Sequence, residues 1–225
     1  MSTFDPNLSI LPPHQRELWP ELSAVPPHFV LYGDTAIALR LGHRQSADFD
    51  FMSPRSFTPE TIVKEVPFLG AADRLQSQEN TLTISVTRGA PVKLSLFGGI
   101  SSGRVGSPHR VRENGIWVAS LLDLTALKLA VVQQRAEARD YLDLHALLRC
   151  GISLEEGLGA ARALYGAQFN PAITLKALAY FGDGDLPTLA RDATTHLAGI
   201  ATRVGAIPDL VRASRSLAPE ESVSS

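Results

Sequence analysis

The chain lacks the features that would place it in several common classes of protein. Only one cysteine, Cys150, occurs among the 225 residues. An intrachain disulfide is therefore excluded, which is typical of proteins in a reducing compartment. No apolar run approaches the roughly 20 residues that a membrane-spanning helix needs. With 21 basic and 23 acidic residues, the net charge is -2, so the whole chain does not offer the basic surface of a general nucleic-acid binder. We expect a cytoplasmic protein without membrane segments, in which any RNA contact comes from a local patch.

The chain also lacks the spacing of a zinc site. Its six histidines show no H-x-x-x-H or similar arrangement, which predicts surface or packing roles for them.

Hydrophobic residues make up 44% of the chain, enough to bury a core. The pattern along the sequence predicts an α+β protein, with a mixed β-sheet core and flanking helices followed by a C-terminal helical domain. The predicted parts are a proline-rich N-terminal extension (1–27) with a short helix, an α/β core (28–119), a helical domain (120–216) and a flexible tail (217–225).

Two aspartates stand at alternate positions in the apolar stretch "SADFDF". Because side chains alternate along a strand, Asp48 and Asp50 should share one face, while Phe49 and Phe51 share the other. Two ionised carboxylates so close repel each other unless a cation sits between them or the face is fully hydrated. The pattern therefore indicates either the polar face of an edge strand or a site for Mg²⁺ or Mn²⁺, which prefer oxygen ligands.

A candidate anion site precedes these aspartates. The strand "HFVLY" ends at Gly33, and the helix that follows offers free backbone N–H groups and the positive end of its dipole. Asp34 is the exception in this turn, because its charge would repel phosphate, although aspartate also suits a helix N-cap. The candidate nucleotide-binding residues are Gly33, Asp34, Thr35, His43, Arg44 and Ser46.

Taken together, "YGDTAIALRLGHRQSADFDF" and "ASLLDLTALKLAVVQQRAEARDYLDLHALL" resemble the motifs of the AbiEii/AbiGii-type nucleotidyltransferase toxins, within the DNA polymerase β-like superfamily. The resemblance covers roughly residues 28 to 150. It implies that Asp48 and Asp50 bind metal, that the turn at Gly33 holds the triphosphate of an NTP, and that an antitoxin protein exists. In its helical segment the resemblance adds four candidate catalytic residues, which are Lys128, Arg139, Asp140 and Asp143.

If residues 121–148 formed one helix, Lys128, Arg135, Arg139 and Asp143 would fall on one stripe. Such a stripe is typical either of a functional surface or of a solvated face with ion pairs. Lys128 itself lies among apolar neighbours, so it either extends past them to solvent or points into a cleft.

The chain departs from the superfamily pattern at the third carboxylate. The strand expected to supply it, "PVKLSLFGG", carries Ser95, which is a poor general base without a partner. Three functions stay open. The first is transfer of a nucleoside monophosphate to an acceptor such as tRNA. The second is a catalytically silent nucleotide-binding or protein-interaction module, and the third is metal-dependent phosphate hydrolysis or the role of a structural partner.

Overall fold

A computed structural model describes residues 2–219 of the protein. The strands are β1 (Thr3–Phe4), β2 (Val30–Tyr32), β3 (Asp48–Met52), β4 (Asp73–Gln78), β5 (Thr81–Arg88), β6 (Ala90–Phe97), β7 (His109–Val111) and β8 (Trp117–Val118). The α-helices are α1 (Pro13–Leu18), α2 (Gly33–Leu41), α3 (Pro59–Glu65), α4 (Leu121–Val131), α5 (Ala138–Arg149), α6 (Leu154–Tyr165), α7 (Pro171–Ala179) and α8 (Arg191–Ala201). The predicted α+β class, a mixed sheet with flanking helices and a helical C-terminal part, is confirmed.

All strands belong to one mixed sheet with the order β1-β7-β8-β2-β3-β6-β5-β4. Strand β3 lies inside this sheet, antiparallel to β2 and parallel to β6. It is therefore not an edge strand, and its backbone is hydrogen-bonded on both sides.

The side chains of β3 alternate as the sequence predicts. Phe49 and Phe51 are fully buried, whereas Asp48 and Asp50 on the opposite face are partly exposed. Phe49 contacts the buried Trp19 ring with 6.2 Å between ring centroids. The aromatic face thus anchors the strand in the core and leaves the carboxylates on an open face.

Strands β4, β5 and β6 form an antiparallel meander. The turn between β4 and β5 places Asn80 at φ 60°, and the turn between β5 and β6 places Gly89 at φ 73°. Asparagine and glycine tolerate this left-handed region better than other residues, which is why these turns were recognisable in the sequence.

Helix α2 connects β2 to β3 within a short stretch of chain. It begins at Gly33, directly after β2, and ends at Gly42, whose φ is 64°. Left-handed glycine is a common helix terminator, which explains why α2 ends here. Because Tyr32 pairs with Asp50 across the sheet, the start of α2 lies beside the second aspartate.

The described chain divides into two compact units. Residues 2–120 with 214–219 form the first unit, and Leu121–Ala213 form the second. In the first unit, α1 contacts β5 and β6, so the N-terminal segment packs on the sheet. The predicted domain boundaries stay predictions, and residues 220–225 of the expected tail lie outside the described residues.

The supposition of a single helix over 121–148 is wrong. The chain leaves helical geometry after Val131 and resumes it at Ala138. Tertiary hydrogen bonds hold this break: the Ala138 N–H donates to the Asp185 carboxylate at 2.6 Å, and the Gln133 amide donates to Thr174 Oγ1 at 2.7 Å. These partners are remote in sequence, so the helical periodicity did not reveal the break.

Candidate functional site

The open face of β3 carries the central candidate site. In the register with β6, Asp48 lies opposite Lys93 and Asp50 lies opposite Ser95. Lys93 Nζ is 3.3 Å from Asp48 Oδ2, and the Ser95 hydroxyl hydrogen-bonds the Asp50 carboxylate. Two parallel strands therefore present two acids, one base and one hydroxyl on a single face.

Gly33 approaches Asp50 more closely than any other residue type could. Its φ is 73°, and a Cβ built on it would lie 3.0 Å from Asp50 Oδ2. A side chain there would be strained by the backbone conformation and would crowd the carboxylate. Glycine at this position thus keeps the first turn of α2 open next to Asp50.

Asp34 forms an ion pair with Arg44. The Arg44 Nη2 to Asp34 Oδ2 distance is 2.7 Å, and both side chains are largely buried, with 19% and 24% exposure. Tyr32, not Asp34, occupies the N-cap position of α2, so the N-cap interpretation of Asp34 is wrong. An N-cap at Asp34 would start the helix at Thr35, whereas α2 already begins at Gly33, two residues earlier. The pairing offsets the charge of Asp34 and engages Arg44, which the sequence had suggested as a phosphate ligand.

Thr35 and Ser46 brace the connection into β3. Both are buried, and their hydroxyl groups are hydrogen-bonded to each other with 2.8 Å between the oxygens. Thr35 also contacts the carbonyl oxygen of Asp48. These two residues therefore fix the start of the aspartate strand. His43, between α2 and β3, is partly buried.

The electrostatics of Asp50 favour a cation at this face. Burial raises the pKa of Asp50, the hydrogen bond from Ser95 lowers it, and the charges of Asp48 and Asp34 raise it further, so the pKa lies above its ordinary value. Lys93 lowers the pKa, but the structure gives Asp50 no ion pair within residues 2–219. An ionised Asp50 is consequently costly until positive charge comes near.

The donor set fits a divalent metal with a preference for oxygen. Asp48 and Asp50 offer carboxylate oxygens, and one or two protein carboxylates together with substrate phosphates are the usual ligands of Mg²⁺. Because Gly33 has no side chain, no Cβ crowds the Asp50 carboxylate at this point. Asp48 and Asp50 are therefore the residues that could hold Mg²⁺ or Mn²⁺.

A second group of candidate residues lies in the helical unit. Lys128 Nζ is 2.6 Å from Asp140 Oδ1 and 2.7 Å from Asp143 Oδ2, and all three side chains are at most 3% exposed. Lys128 therefore neither reaches solvent nor remains unpaired; it ends in a buried ion cluster. The fourth candidate, Arg139, is about half exposed and pairs with Glu137 at 2.7 Å. The structure thus brings together three of these four residues.

Arg135 completes the buried cluster. Its Nε donates to Asp140 Oδ2 at 2.8 Å. Burial alone raises the pKa of Asp140, but the hydrogen bond from Arg135 and the charge of Lys128 outweigh it and hold the pKa below its ordinary value. The role of Arg135 was missed from the sequence because it depends on the break between α4 and α5. The contact between Lys93 and Asp48 was also missed, although Lys93 is two residues before Ser95 and so lies on the same face of β6.

No helix within residues 2–219 has the length and apolar character needed to cross a membrane.

Comparison with known proteins identifies one family model and one relative. Residues 18–206 match the nucleotidyl transferase AbiEii toxin family of type IV toxin–antitoxin systems. An uncharacterized protein of Aquifex aeolicus (strain VF5) is 30% identical over 158 residues, which is 69% of this chain and 74% of that protein.

Two solved structures share the fold. A candidate nucleotidyltransferase from H. pylori has a TM-score of 0.56 at 18% identity, covering 84% of this chain and 92% of that one. The nucleotidyltransferase toxin MenT4 of Mycobacterium tuberculosis H37Rv has a TM-score of 0.57 at 16% identity, covering 85% and 82%. At this level of identity, the two similarities are evidence for the fold.

Proposed function

Because the chain belongs to the AbiEii family of nucleotidyltransferase toxins of type IV toxin–antitoxin systems, we propose that it transfers a nucleoside monophosphate from an NTP to an acceptor hydroxyl. The proposal includes Mg²⁺ or Mn²⁺ as the metal and RNA, such as tRNA, as the acceptor. The observation that carries it is the open face of β3, where Asp48 and Asp50 lie beside the start of α2.

In the proposed reaction, the acceptor oxygen bonds to the α-phosphorus of the NTP. The bond from that phosphorus to the bridging oxygen breaks, pyrophosphate leaves, and the hydroxyl proton passes to a base. When bound, the metal neutralises charge on the phosphates and orients their oxygens. Asp48 and Asp50 would hold the metal, and the backbone N–H groups of the first turn of α2 would bind phosphate oxygens.

Lys93 extends the proposed site with a positive charge on the neighbouring strand. Its ammonium pairs with Asp48 across partly exposed surface, where such pairs are weak, and it can turn from the carboxylate towards phosphate without a large cost. The proposed roles of Lys128, Asp140 and Asp143 in catalysis stay predictions. Their mutual pairing at less than 3 Å supports a structural contribution in addition.

One observation favours a second candidate function, a silent module that binds nucleotide without transferring it. The strand position beside Asp50 holds Ser95, whereas superfamily members that this chain resembles usually supply a third carboxylate there. A serine hydroxyl that already hydrogen-bonds a carboxylate is a poor base for the acceptor proton. Binding and transfer must therefore be measured separately.

Calorimetric titration with each NTP in the presence of Mg²⁺ tests binding. We expect saturable binding of at least one NTP, and at least a tenfold loss of affinity, about 1.4 kcal/mol, in Asp50→Asn. The matched control is Asp73→Asn, an exposed aspartate on β4, which should bind like the wild type. Absence of binding for every NTP, or equal affinity in Asp50→Asn, would contradict the proposal.

Transfer is then assayed with labelled NTPs and total RNA. Label in RNA together with pyrophosphate release supports the transferase, and binding without either product supports the silent module. Family membership also supports an antitoxin as the protein partner. Growth arrest on expression of the wild type but not of Asp50→Asn, relieved by a neighbouring gene, is the expected result in cells.

A further inference from the structure

Two histidines from different helices of the second unit face each other. His145 lies on α5 and His196 on α8, and their Nδ1 atoms are 3.2 Å apart. The imidazole planes are nearly perpendicular, at 89°, with 4.9 Å between ring centroids. Two ring nitrogens from remote parts of the chain therefore lie within contact distance of each other.

The separation of the two nitrogens matches that of two ligands on one metal ion. With metal–nitrogen bonds of 2.0–2.1 Å, two histidine ligands on a tetrahedral ion lie about 3.3 Å apart. A direct N–H···N hydrogen bond at 3.2 Å is at the long end of the normal range. The distance between the two nitrogens is therefore compatible with metal binding as well as with a hydrogen bond.

The surroundings leave room for further ligands. His196 lines a cleft of about 290 Å³, together with Glu155, Ile200 and Arg203. Glu155 accepts a hydrogen bond from the Gly205 N–H at 2.7 Å, so it already has a partner. A two-histidine site completes its coordination with water molecules, and the cleft offers space for water beside His196.

Acidic and basic groups around the pair shift the pKa of the two histidines in opposite directions. Burial lowers the pKa of His145 and His196, and Arg149 lowers both further, as Arg203 does for His196. Asp192, one helical turn before His196, raises the pKa of both. The surroundings of the pair therefore contain one acidic group, Asp192, and two basic groups, Arg149 and Arg203.

We propose that His145 and His196 form a second metal site, which takes a divalent transition ion such as Zn²⁺, Ni²⁺ or Co²⁺ and links α5 to α8. Imidazole nitrogen selects these ions over Mg²⁺, whereas the carboxylates of β3 select Mg²⁺. The two sites therefore differ in the metals that they accept. The site is independent of the proposed transferase activity.

The test is a calorimetric titration of untagged, full-length protein with Zn²⁺ and Ni²⁺ in excess Mg²⁺, which saturates oxygen sites. We expect one equivalent to bind, with at least a tenfold loss of affinity in both His145→Gln and His196→Gln. Two controls should retain the wild-type affinity. His14→Gln removes a histidine outside the pair, and Cys150→Ser removes the exposed thiol, the other soft donor.

Thermal unfolding gives a second readout. Zn²⁺ should raise the melting temperature of the wild type and of both controls, but not that of the two histidine variants, because ligand binding to the folded state stabilises it. Circular dichroism verifies that the variants fold. No saturable binding, or equal binding in the histidine variants, would show a hydrogen-bonded pair only and overturn the proposal.

Discussion

The two units of the chain hold their aspartates in contrasting ways. In the first unit, Asp48 and Asp50 share the open face of β3, and the nearest cation, Lys93, is about half exposed. In the second, Asp140 and Asp143 are fully buried and bind Lys128 at 2.6 and 2.7 Å. The buried pair has its counter-charge built into the fold. The open pair is only partly compensated, as a site for an added cation requires.

The pKa values of Asp50 and Asp140 are shifted in opposite directions, in line with this difference. Asp50 has a raised pKa, because burial and neighbouring carboxylates outweigh Lys93 and the hydrogen bond from Ser95. Asp140 has a lowered pKa, because Arg135 and Lys128 overcome the effect of burial. An aspartate that the protein stabilises as an anion is part of its structure. One that the protein destabilises as an anion is available to a ligand, and such perturbed groups cluster at functional sites.

The largest effect should come from Lys128→Met. This change leaves two buried carboxylates next to each other without their shared cation, and breaking a buried ion pair costs about 3–5 kcal/mol. Urea unfolding measures the loss. Arg139→Met is the control, because its pair with Glu137 is exposed and should contribute less than about 1 kcal/mol. Equal losses of stability in the two variants would show that the buried and the exposed ion pairs do not differ in what they contribute.

Asparagine substitutions at Asp140 and Asp50 should have opposite signs. Asp140→Asn removes hydrogen bonds from charged donors and should cost about 1.5–3 kcal/mol at neutral pH. Asp50→Asn removes a destabilised charge and should raise stability by about 0.5–1 kcal/mol, as substitutions at strained functional sites often do. Unfolding free energies at pH 7 test both signs.

The pH dependence of these two effects follows from the pKa directions. The folded pKa of Asp140 is depressed, so its stabilising contribution is present above the unfolded value of about 3.9 and is lost as pH falls through the folded pKa. The folded pKa of Asp50 is raised, so the gain in Asp50→Asn is complete above that folded pKa and disappears below about pH 3.9. The same sign for both variants would contradict the assignment.

The smallest effect is expected for Lys93→Met, the same chemical change as Lys128→Met in the other unit. Its ion pair with Asp48 is exposed on both sides, so the loss of stability should be below about 1 kcal/mol and should shrink with added salt. Nucleotide affinity in Mg²⁺, rather than stability, should fall. A stability loss as large as that of Lys128→Met would show that the open face is a structural element.

Prediction from the sequence was most accurate around β3, where it depended on local patterns. The alternation of Phe49 and Phe51 with the two aspartates predicted a half-buried strand, and Gly33 predicted the start of α2. Two local interpretations were wrong. Asp34 pairs with Arg44 instead of capping α2, and the helical periodicity over 121–148 concealed a break. Helix α4 is apolar around most of its circumference and only α5 is amphipathic, so the apolar spacing gave no signal of the break between them.

The sequence by itself determined the strand, the turn at Gly33, the order of the motifs and hence the resemblance to one family, because each depends on neighbours a few residues apart. Only the tertiary structure decided which charges meet. Ser95 reaches Asp50 through the register of β6 on β3, Lys128 reaches Asp140 through the break between α4 and α5, and His145 meets His196 across 51 residues of chain. Electrostatic energy depends on the distance between charges in space and on their burial. Both quantities are defined only once the chain has folded.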